Sequence, residues 1–577
     1  MNFEIEGRDC NSRIGWIEYK GKKIEIPGIL WYSSNRIPSP NFAKIKLGID
    51  IKSGGTFFYS KKGDLPPIIS YPYFFPQGFH DFIGEWNERN ANDFEIISAK
   101  SDVTKKEKIY VIQNSIEIYS NPRNFVNAII SIRKKIGYKP LYAPAIALPN
   151  NLSILIYAGI DIVDSISLIL KTRKGIYFTA EGEYNINELQ EYPCSCQYCK
   201  NGIKNFEELL MHNYEVMKNE LIKIKNAIKK RSLRTLVESK AAMHPNIASI
   251  LRLLDIQYEY QEKRFPINGN KISVSCLSFN MPSIRRFRER ILKRYVKPES
   301  AKILLLLPCS AKKPYSKSKS HMLFRKVINK ISNRNIIHEV ILTSPLGIVP
   351  REIENFYPAA HYNISVIGKW DKEEKQMLQN MLDEFLKKNK YDIIISHLPK
   401  EMDFLDIDAI STCKEKPTYE EDLKRLEEEL KITEDYEYVY PGRRRRDNVK
   451  SMLLFQFGNA AENFLDGCSI RGKFPDYKIY CDDKQVAIYV ARRGMFSLTL
   501  PGGKRLGKNY WLEIDDFIPK GSVFAAGVKN ADEKIRNGDE VVVFHENELR
   551  AVGVAKMNGE EMVESEHGEA VKIRHHI

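Results

Sequence analysis

Short apolar runs alternate with helically spaced apolar positions from residue 1 to about residue 290, the rhythm of an α/β domain. Within it the run Leu152–Tyr157, LSILIY, reads as a strand feeding the glycine-containing loop AGIDIVDS. Residues 207–230 set Leu209, Leu210, Tyr214, Met217, Leu221 and Ile224 three and four apart with lysines between them. That spacing predicts a long amphipathic helix whose lysines form a solvated face. A second α/β unit opens near Lys302, where ILLLLP reads as a buried strand followed by a loop and a helix over about 320–331. A strand over 338–343, a helix over 372–388 and a strand over 391–396 complete a βαβαβ pattern, which predicts a parallel sheet. Ligands of such sheets bind outside the carboxyl ends of the strands. Those ends carry Cys309, then Ser344 with Gly347, then Ser396 with His397. Residues 418–430 form a charged helix, and PGRRRR at 441–446 is a basic connector, either a flexible linker or a phosphate-contacting segment. Near the C-terminus NGDEVVVFHENELRAVGVAKM alternates about Asn-Gly and Glu-Asn turns, the pattern of a small β domain.

Length and charge narrow the partners. A chain of 577 residues exceeds what one core supports, so three or four domains are expected. Lys and Arg number 89 against 74 Asp and Glu, and the resulting +15 favours a polyanion: RNA, DNA or an anionic membrane surface. The polar start MNFEIEGRDC has no signal-peptide character, and the apolar run 303–307 is too short to span a bilayer, which predicts a cytoplasmic protein. Nine cysteines in so long a chain do not resemble a disulfide scaffold.

Three of those cysteines, Cys194, Cys196 and Cys199, form C-x-C-x-x-C after Pro193, and His212 follows on the predicted helix. Three thiolates and one imidazole complete a tetrahedral, closed, structural zinc site. A redox-active thiol set is the alternative, and His244 is an alternative fourth ligand.

The segments YPCSCQYCKNG, LLMHNYEVMKNELIKIKNAIKK and LVESKAAMHPNI resemble the zinc-binding region of archaeal tRNA-guanine transglycosylases, in which a His-Asn pair, matched by His212-Asn213, supplies the fourth ligand. The resemblance extends upstream to AGIDIVDS and downstream to the C-terminus. It implies a TIM-like (β/α) barrel with a zinc insertion, and a homodimer. The family's ribose-attacking Asp is matched by Asp164. Its base-holding Asp-Ser-Gly is not: the counterpart KSGGTF puts Lys52 in place of the acid and Phe57 in place of the usual Gln. An ammonium offers only donors where a carboxylate accepts, so the hydrogen-bonding sense is reversed and base exchange is not expected. Asp164 is then either a nucleophilic or base-binding group at a strand end, or a relic that caps a turn.

Pro308, Cys309, Lys313, Pro314, Tyr315, Ser318 and His321 match the P-C-x3-K-P-Y-x2-S-x2-H signature of archaeosine synthases, and on them the chain resembles that family. The resemblance implies a tRNA-modifying transferase that adds an amine to the nitrile of 7-cyano-7-deazaguanine already in the tRNA D-loop. Lysine or a glutamine-derived nitrogen is the implied donor, and a radical-SAM partner enzyme completes the amidine. A thiolate attacks a nitrile to give a thioimidate, which an amine displaces as an amidine. Cys309 among Lys312, Lys313 and Lys317, ahead of a helix, has the setting that depresses a thiol pKa. His321 or Tyr315 is expected to shuttle the proton, Ser318 to hydrogen-bond substrate, and Lys313 to orient a phosphate or the donor's carboxylate. Pro308, Pro314, Ser344, His397 and Asp164 are candidate substrate-binding residues. A non-covalent route, with His321 as base and Lys313 assisting the nitrile nitrogen, uses the same residues.

Residues from about 507 onward resemble a PUA domain, a small RNA-binding β-barrel, with Lys504, Arg505, Lys508 and Lys529 as candidate phosphate contacts. The expected architecture is α/β multidomain. A transglycosylase-like barrel with a zinc site occupies 1–295, a parallel-sheet α/β catalytic core 296–430, a linker and small α+β domain 431–506, and the PUA β-barrel 507–577. A base-inserting transglycosylase and a non-catalytic tRNA-binding subunit are the competing readings.

Overall fold

The computed structural model describes residues 3–19, 21–33, 37–48, 93–101, 108–364 and 368–577. Lys52 and Phe57 lie outside them. Two compact units emerge: Met1–Phe265 with Phe524–Ala526 and Glu560–Glu569, and Pro266–Val523 with Gly527–Gly559 and Ala570–Ile577. No described helix is long and apolar enough to cross a membrane.

The first unit opens with an antiparallel sheet of β1 (Phe3–Asp9), β2 (Ser12–Tyr19) and β3 (Lys22–Ile26). Then β4 (Gly28–Ser33), β5 (Lys46–Gly48), β6 (Phe94–Ile97), β7 (Ile109–Ile112), β8 (Leu141–Ala143) and β9 (Ile162–Asp164) form a parallel sheet in the order β5-β4-β9-β8-β7-β6. This is a parallel α/β core. Ile17, Ile26, Ile109, Val111 and Ile162 are among the residues that close its core. Leu152–Tyr157 is a helix, not a strand. All six of its residues are buried, so an apolar run facing protein on every side carries no periodicity to separate the two conformations. A short ribbon, β10 (Ile176–Phe178) with β11 (Glu183–Asn185), precedes the cysteine cluster, and the amphipathic helix follows as Phe206–Lys229. Asn205 caps it by accepting the Glu208 N–H at 2.9 Å.

In the second unit β12 (Ile272–Ser273) later pairs with β16 (Tyr362–Asn363). The main sheet uses β13 (Ile303–Pro308), β14 (Ile337–Thr343), β15 (Gly347–Pro350), β17 (Ile393–Ser396) and β18 (Ile410–Ser411), in the order β15-β14-β13-β17-β18. β13 runs parallel to both β14 and β17, as the alternating pattern predicted, and β15 folds back antiparallel on β14. Leu305, Leu307, Phe324, Ile328, Leu426 and Leu430 belong to its hydrophobic core. The basic PGRRRR segment is not a linker: it opens the helix Pro441–Phe457, with Pro441 in the first turn. Arg444 donates to Asn335 O and Arg446 to Leu465 O and Cys468 O, each at 2.7 Å, so two of its four guanidinium groups brace neighbouring chain.

A four-stranded meander follows, β19 (Cys468–Arg471), β20 (Lys478–Cys481), β21 (Lys484–Val490) and β22 (Met495–Leu498). Cys468 and Cys481, directly opposed across its first pair, form a disulfide, a local clip that the cysteine count alone did not suggest. The C-terminal β domain contains β23 (Trp511–Ile514), β24 (Ser522–Phe524), β25 (Val528–Ala531), β26 (Glu540–His545), β27 (Glu548–Ala555) and β28 (Glu569–His576), ordered β24-β28-β27-β26-β23-β25. Fully buried Glu540 carries Arg493 and Arg574 and accepts the Leu498 N–H, which ties this sheet to the end of β22.

Candidate functional site

The carboxyl ends of β13, β14 and β17 open on a cleft of about 750 Å³, lined by Pro308, Cys309, Ser320, Ser344, Trp370 and Glu374, with Pro399, Glu401 and Tyr419 on its far side. Cys309 is the first residue beyond β13, so the rigid strand fixes its position. Its thiol shares a hydrogen bond with the hydroxyl of Thr343, the last residue of β14. Thr343 Oγ1 lies 2.6 Å from the Tyr362 hydroxyl, which lies 2.6 Å from that of fully buried Tyr315. Three hydroxyls in series therefore end at the sulfur.

Lys313 is the charged group beside this thiol. Its Nζ sits 4.0 Å from the centre of the Tyr362 ring and is buried without a hydrogen-bond partner among the described residues. Burial without an anion to compensate lowers its pKa to about 8. The Cys309 thiol departs from expectation. Burial raises its pKa, and the Thr343 hydrogen bond and the Lys313 charge only partly oppose that. Its neighbour is not a helix start either: the next helix, Lys319–Ile328, begins ten residues on and is capped by Ser318.

Three motif residues turn out to build the site. Ser318, expected to contact substrate, is buried and accepts the His321 N–H as the helix cap. His321, expected to shuttle a proton, donates from Nε2 to Pro308 O at 3.0 Å and accepts at Nδ1 from Arg351 at 2.7 Å. Burial and the adjacent guanidinium push its pKa down to about 2, so the ring stays neutral with both nitrogens engaged. Arg351 is held in turn by Glu339 and Glu354, and Glu354 accepts the Ser316 N–H, so one bracket supports the whole motif loop. Pro314 leads into the turn Tyr315–Lys317. Of the strand-end candidates, Ser344 reaches the cleft and donates to Glu374 Oε1. His397 does not line it: it is fully buried, with Nδ1 against Thr412 Oγ1 at 2.8 Å and Nε2 donating to Pro417 O at 2.7 Å. It holds the Pro417 loop that does.

Sequence reasoning missed Thr343, Tyr362, Trp370 and Glu374. Their signal was positional, since Trp370 and the Asp371/Glu374 capping box stand at the start of a helix at the ligand-binding edge of a parallel sheet.

In the first unit, one ligand atom from each of Cys194, Cys196, Cys199 and His212 falls within 4.8 Å of the others. His212 Nε2 donates to Phe178 O at 2.9 Å, which leaves the Nδ1 lone pair facing Cys196 Sγ at 3.5 Å and Cys199 Sγ at 3.4 Å. Asn213 fixes the same strand by accepting the Phe178 N–H at 2.9 Å. The set is able to hold a metal ion. His244 is not part of it and donates to Glu181 O.

Asp164 is fully buried. Its Oδ2 accepts from the Tyr142 hydroxyl at 2.6 Å and from the Ala145 N–H at 3.0 Å, and its Oδ1 accepts from the Ile166 N–H at 2.9 Å. These bonds cap the turn that follows β9. Among the candidate phosphate contacts, Arg505 donates to Phe464 O and Asp466 O, Lys529 pairs with Asp515 at 3.2 Å, Lys508 lies 5.8 Å from the Trp511 ring centre, and Lys504 is exposed.

Comparison with known proteins places three stretches. Residues 91–246 match the queuine tRNA-ribosyltransferase family, 284–430 a domain family of unknown function, and 513–577 the PUA domain. The archaeosine synthase subunit alpha of Methanosarcina acetivorans is 34% identical, covering 99% of both chains. The archaeosine synthase of Haloferax volcanii is 34% identical over 81% of this chain and 82% of its own. A tRNA-guanine(15) transglycosylase of Methanobrevibacter smithii is 27% identical over 81% and 69%. The near end-to-end match at that identity, together with a cysteine cleft built on the Pro308-to-His321 motif, means that this chain belongs to the archaeosine synthase family.

Proposed function

We propose that the chain modifies tRNA in archaeosine biosynthesis, adding an amine to the nitrile of a 7-cyano-7-deazaguanine already in the RNA, through a thioimidate on Cys309. The observation that carries this reading is the Cys309 thiol on the cleft wall with the Lys313 ammonium near enough for its charge to act on the sulfur, its Nζ buried and without a hydrogen-bond partner among the described residues. Sulfur attacks the nitrile carbon as the thiol's proton passes, through Lys313, to the nitrile nitrogen. An amine with a pKa near 8 is suited to both halves of that relay, because it takes and gives a proton close to neutral pH. The Thr343 hydroxyl, in series with those of Tyr362 and Tyr315, supplies a hydrogen bond to a sulfur whose charge would otherwise be buried. Trp370 offers a flat face on which an extruded base stacks. His321 is a positioning residue here, which disfavours the route in which it is the base.

In this proposal residues 296–430 carry the chemistry, and 1–295, 431–506 and 507–577 hold tRNA, with Lys504, Lys508 and Lys529 as phosphate contacts. The Cys194, Cys196, Cys199 and His212 set binds structural zinc: soft thiolates plus imidazole suit that ion, and four protein ligands leave no place for a reacting water. Lysine or glutamine is the nitrogen source, a radical-SAM partner completes the amidine, and the chain works as a homodimer. The test is to incubate the protein with tRNA carrying the cyano base and either donor, then weigh the nucleosides. An amine adduct is the expected result. No adduct with any donor overturns the proposal, and release of free base marks a transglycosylase instead.

A further inference from the structure

Displacing the thioimidate leaves one charge and one proton unassigned. An alkylamine at neutral pH is an ammonium without the lone pair that attacks carbon, so the cleft must both attract a cation and deprotonate it. The basic side chains do not serve: Lys369 and Lys416 on the lining are exposed ammonium groups that repel a cation, Lys313 is committed to the thiol–nitrile proton relay, and His321 and His397 spend both ring nitrogens within the protein. Four carboxylates line the cleft, Asp371, Glu374, Glu401 and Glu415. Three are exposed and Glu374 alone is half-buried. It is also tied to the reacting edge of the sheet. Its Oε1 accepts from Ser344, the residue after the Thr343 that meets the Cys309 thiol, and its Oε2 accepts the Asp371 N–H at 2.9 Å. Each carboxylate oxygen has a second lone pair, so these two bonds leave room for an ammonium.

We infer that Glu374 receives the amine donor: its carboxylate binds the donor's ammonium and takes its first proton as the nitrogen closes on the thioimidate carbon. This rests on the thioimidate reading of the cleft. The step balances. The new C–N bond forms with the nitrogen's freed lone pair, and the C–S bond breaks with its electrons going to Cys309. Of the ammonium's three protons, one goes to Glu374 and then to water, one returns to the Cys309 sulfur, and one stays on the product nitrogen. The donor class selected is a cationic primary amine rather than a neutral carboxamide, which offers this carboxylate no charge.

The test uses the full chain, tRNA bearing the cyano base, and lysine as the varied substrate. Glu374→Gln is expected to raise the KM for lysine about 10- to 100-fold while the Cys309 adduct still forms without donor. Glu374→Asp is expected to recover part of the loss, and Glu401→Gln, an exposed carboxylate of the same cleft, to change KM by less than about threefold. An unchanged KM in Glu374→Gln, or an equal rise in Glu401→Gln, overturns the inference. Absence of the adduct in the unaltered chain overturns the thioimidate reading instead, and the KM comparison still tests Glu374.

Discussion

Lys313 Nζ lies over the face of Tyr362, 4.0 Å from the ring centre, and meets no hydrogen-bond acceptor among the described residues. The ring's negative face repays part of the cost of burying the charge, but a cation–π contact is weaker than a salt bridge's full set of hydrogen bonds. Holding an ammonium there costs folding energy, and its pKa of about 8 against the ordinary 10.5 expresses the cost.

That cost has a sign in pH. The unfolded chain keeps the Lys313 proton up to pH 10.5 and the folded chain only to about 8, so the penalty is full below 8. Between the two values the unfolded state binds more protons, and stability rises with pH. Lys313→Met is expected to gain roughly 1 kcal/mol at pH 7, a solvent-screened fraction of the shift, and to lose that rise, measured by urea unfolding at pH 7 and 9.5. Its turnover is expected to collapse. A less stable Lys313→Met would mean that the ammonium has a partner.

Cys309→Ala should reduce turnover at least about a thousandfold, as removal of a covalent nucleophile does elsewhere, with an unchanged melting temperature. Full turnover in this variant would end the covalent route.

His321 should leave no mark on the pH–rate profile. Arg351 and Pro308 O occupy its nitrogens, and its pKa near 2 keeps it neutral throughout the working range. Between about pH 5.5 and 7.5, where a free histidine titrates, kcat/KM is expected to show no inflection that disappears in His321→Gln. Such an inflection would return His321 to acid–base work.

The elements that positioned the cleft were legible because their apolar runs sit on a two-sided parallel sheet: ILLLLP, HEVILT and YDIIIS are β13, β14 and β17 nearly as read. Leu152–Tyr157 was not, since burial on every face erases the period that separates helix from strand. At the site, motif spacing brought Cys309, Lys313 and Tyr315 together. It did not reveal that Ser318 and His321 face inward, because a helix cap and a neutral buried imidazole look the same in sequence as a substrate donor and a base. Thr343, Tyr362 and Glu374 come from distant strands and a helix start, and only tertiary pairing joins them to the sulfur.

Asp164→Asn tests whether the transglycosylase aspartate is a relic. Two fixed donors, the Ala145 and Ile166 N–H groups, point at different oxygens of this buried carboxylate. An amide has one oxygen, so its NH2 must face one of them. The expected cost is about 2–3 kcal/mol, seen as a lower melting temperature, with turnover per folded molecule unchanged. Lost turnover at a normal melting temperature would restore a chemical role.

The metal cluster makes a prediction about a residue that is not a ligand. Phe178 O fixes the His212 tautomer, and Asn213 fixes Phe178 by accepting its N–H while donating to Thr172 Oγ1 and Ile176 O, each at 2.9 Å. Asn213 therefore decides which nitrogen faces the sulfurs without touching the ion. His212→Ala removes a ligand and should abolish stoichiometric zinc by elemental analysis. Asn213→Ala should keep the zinc but weaken it about 10- to 100-fold, read by competition with a chromophoric chelator. Under the proposed structural role of zinc, stripping it should lower the melting temperature of the first unit before it slows turnover of the remaining folded protein. Turnover that falls in step with zinc at a constant melting temperature would make the metal a participant in the chemistry.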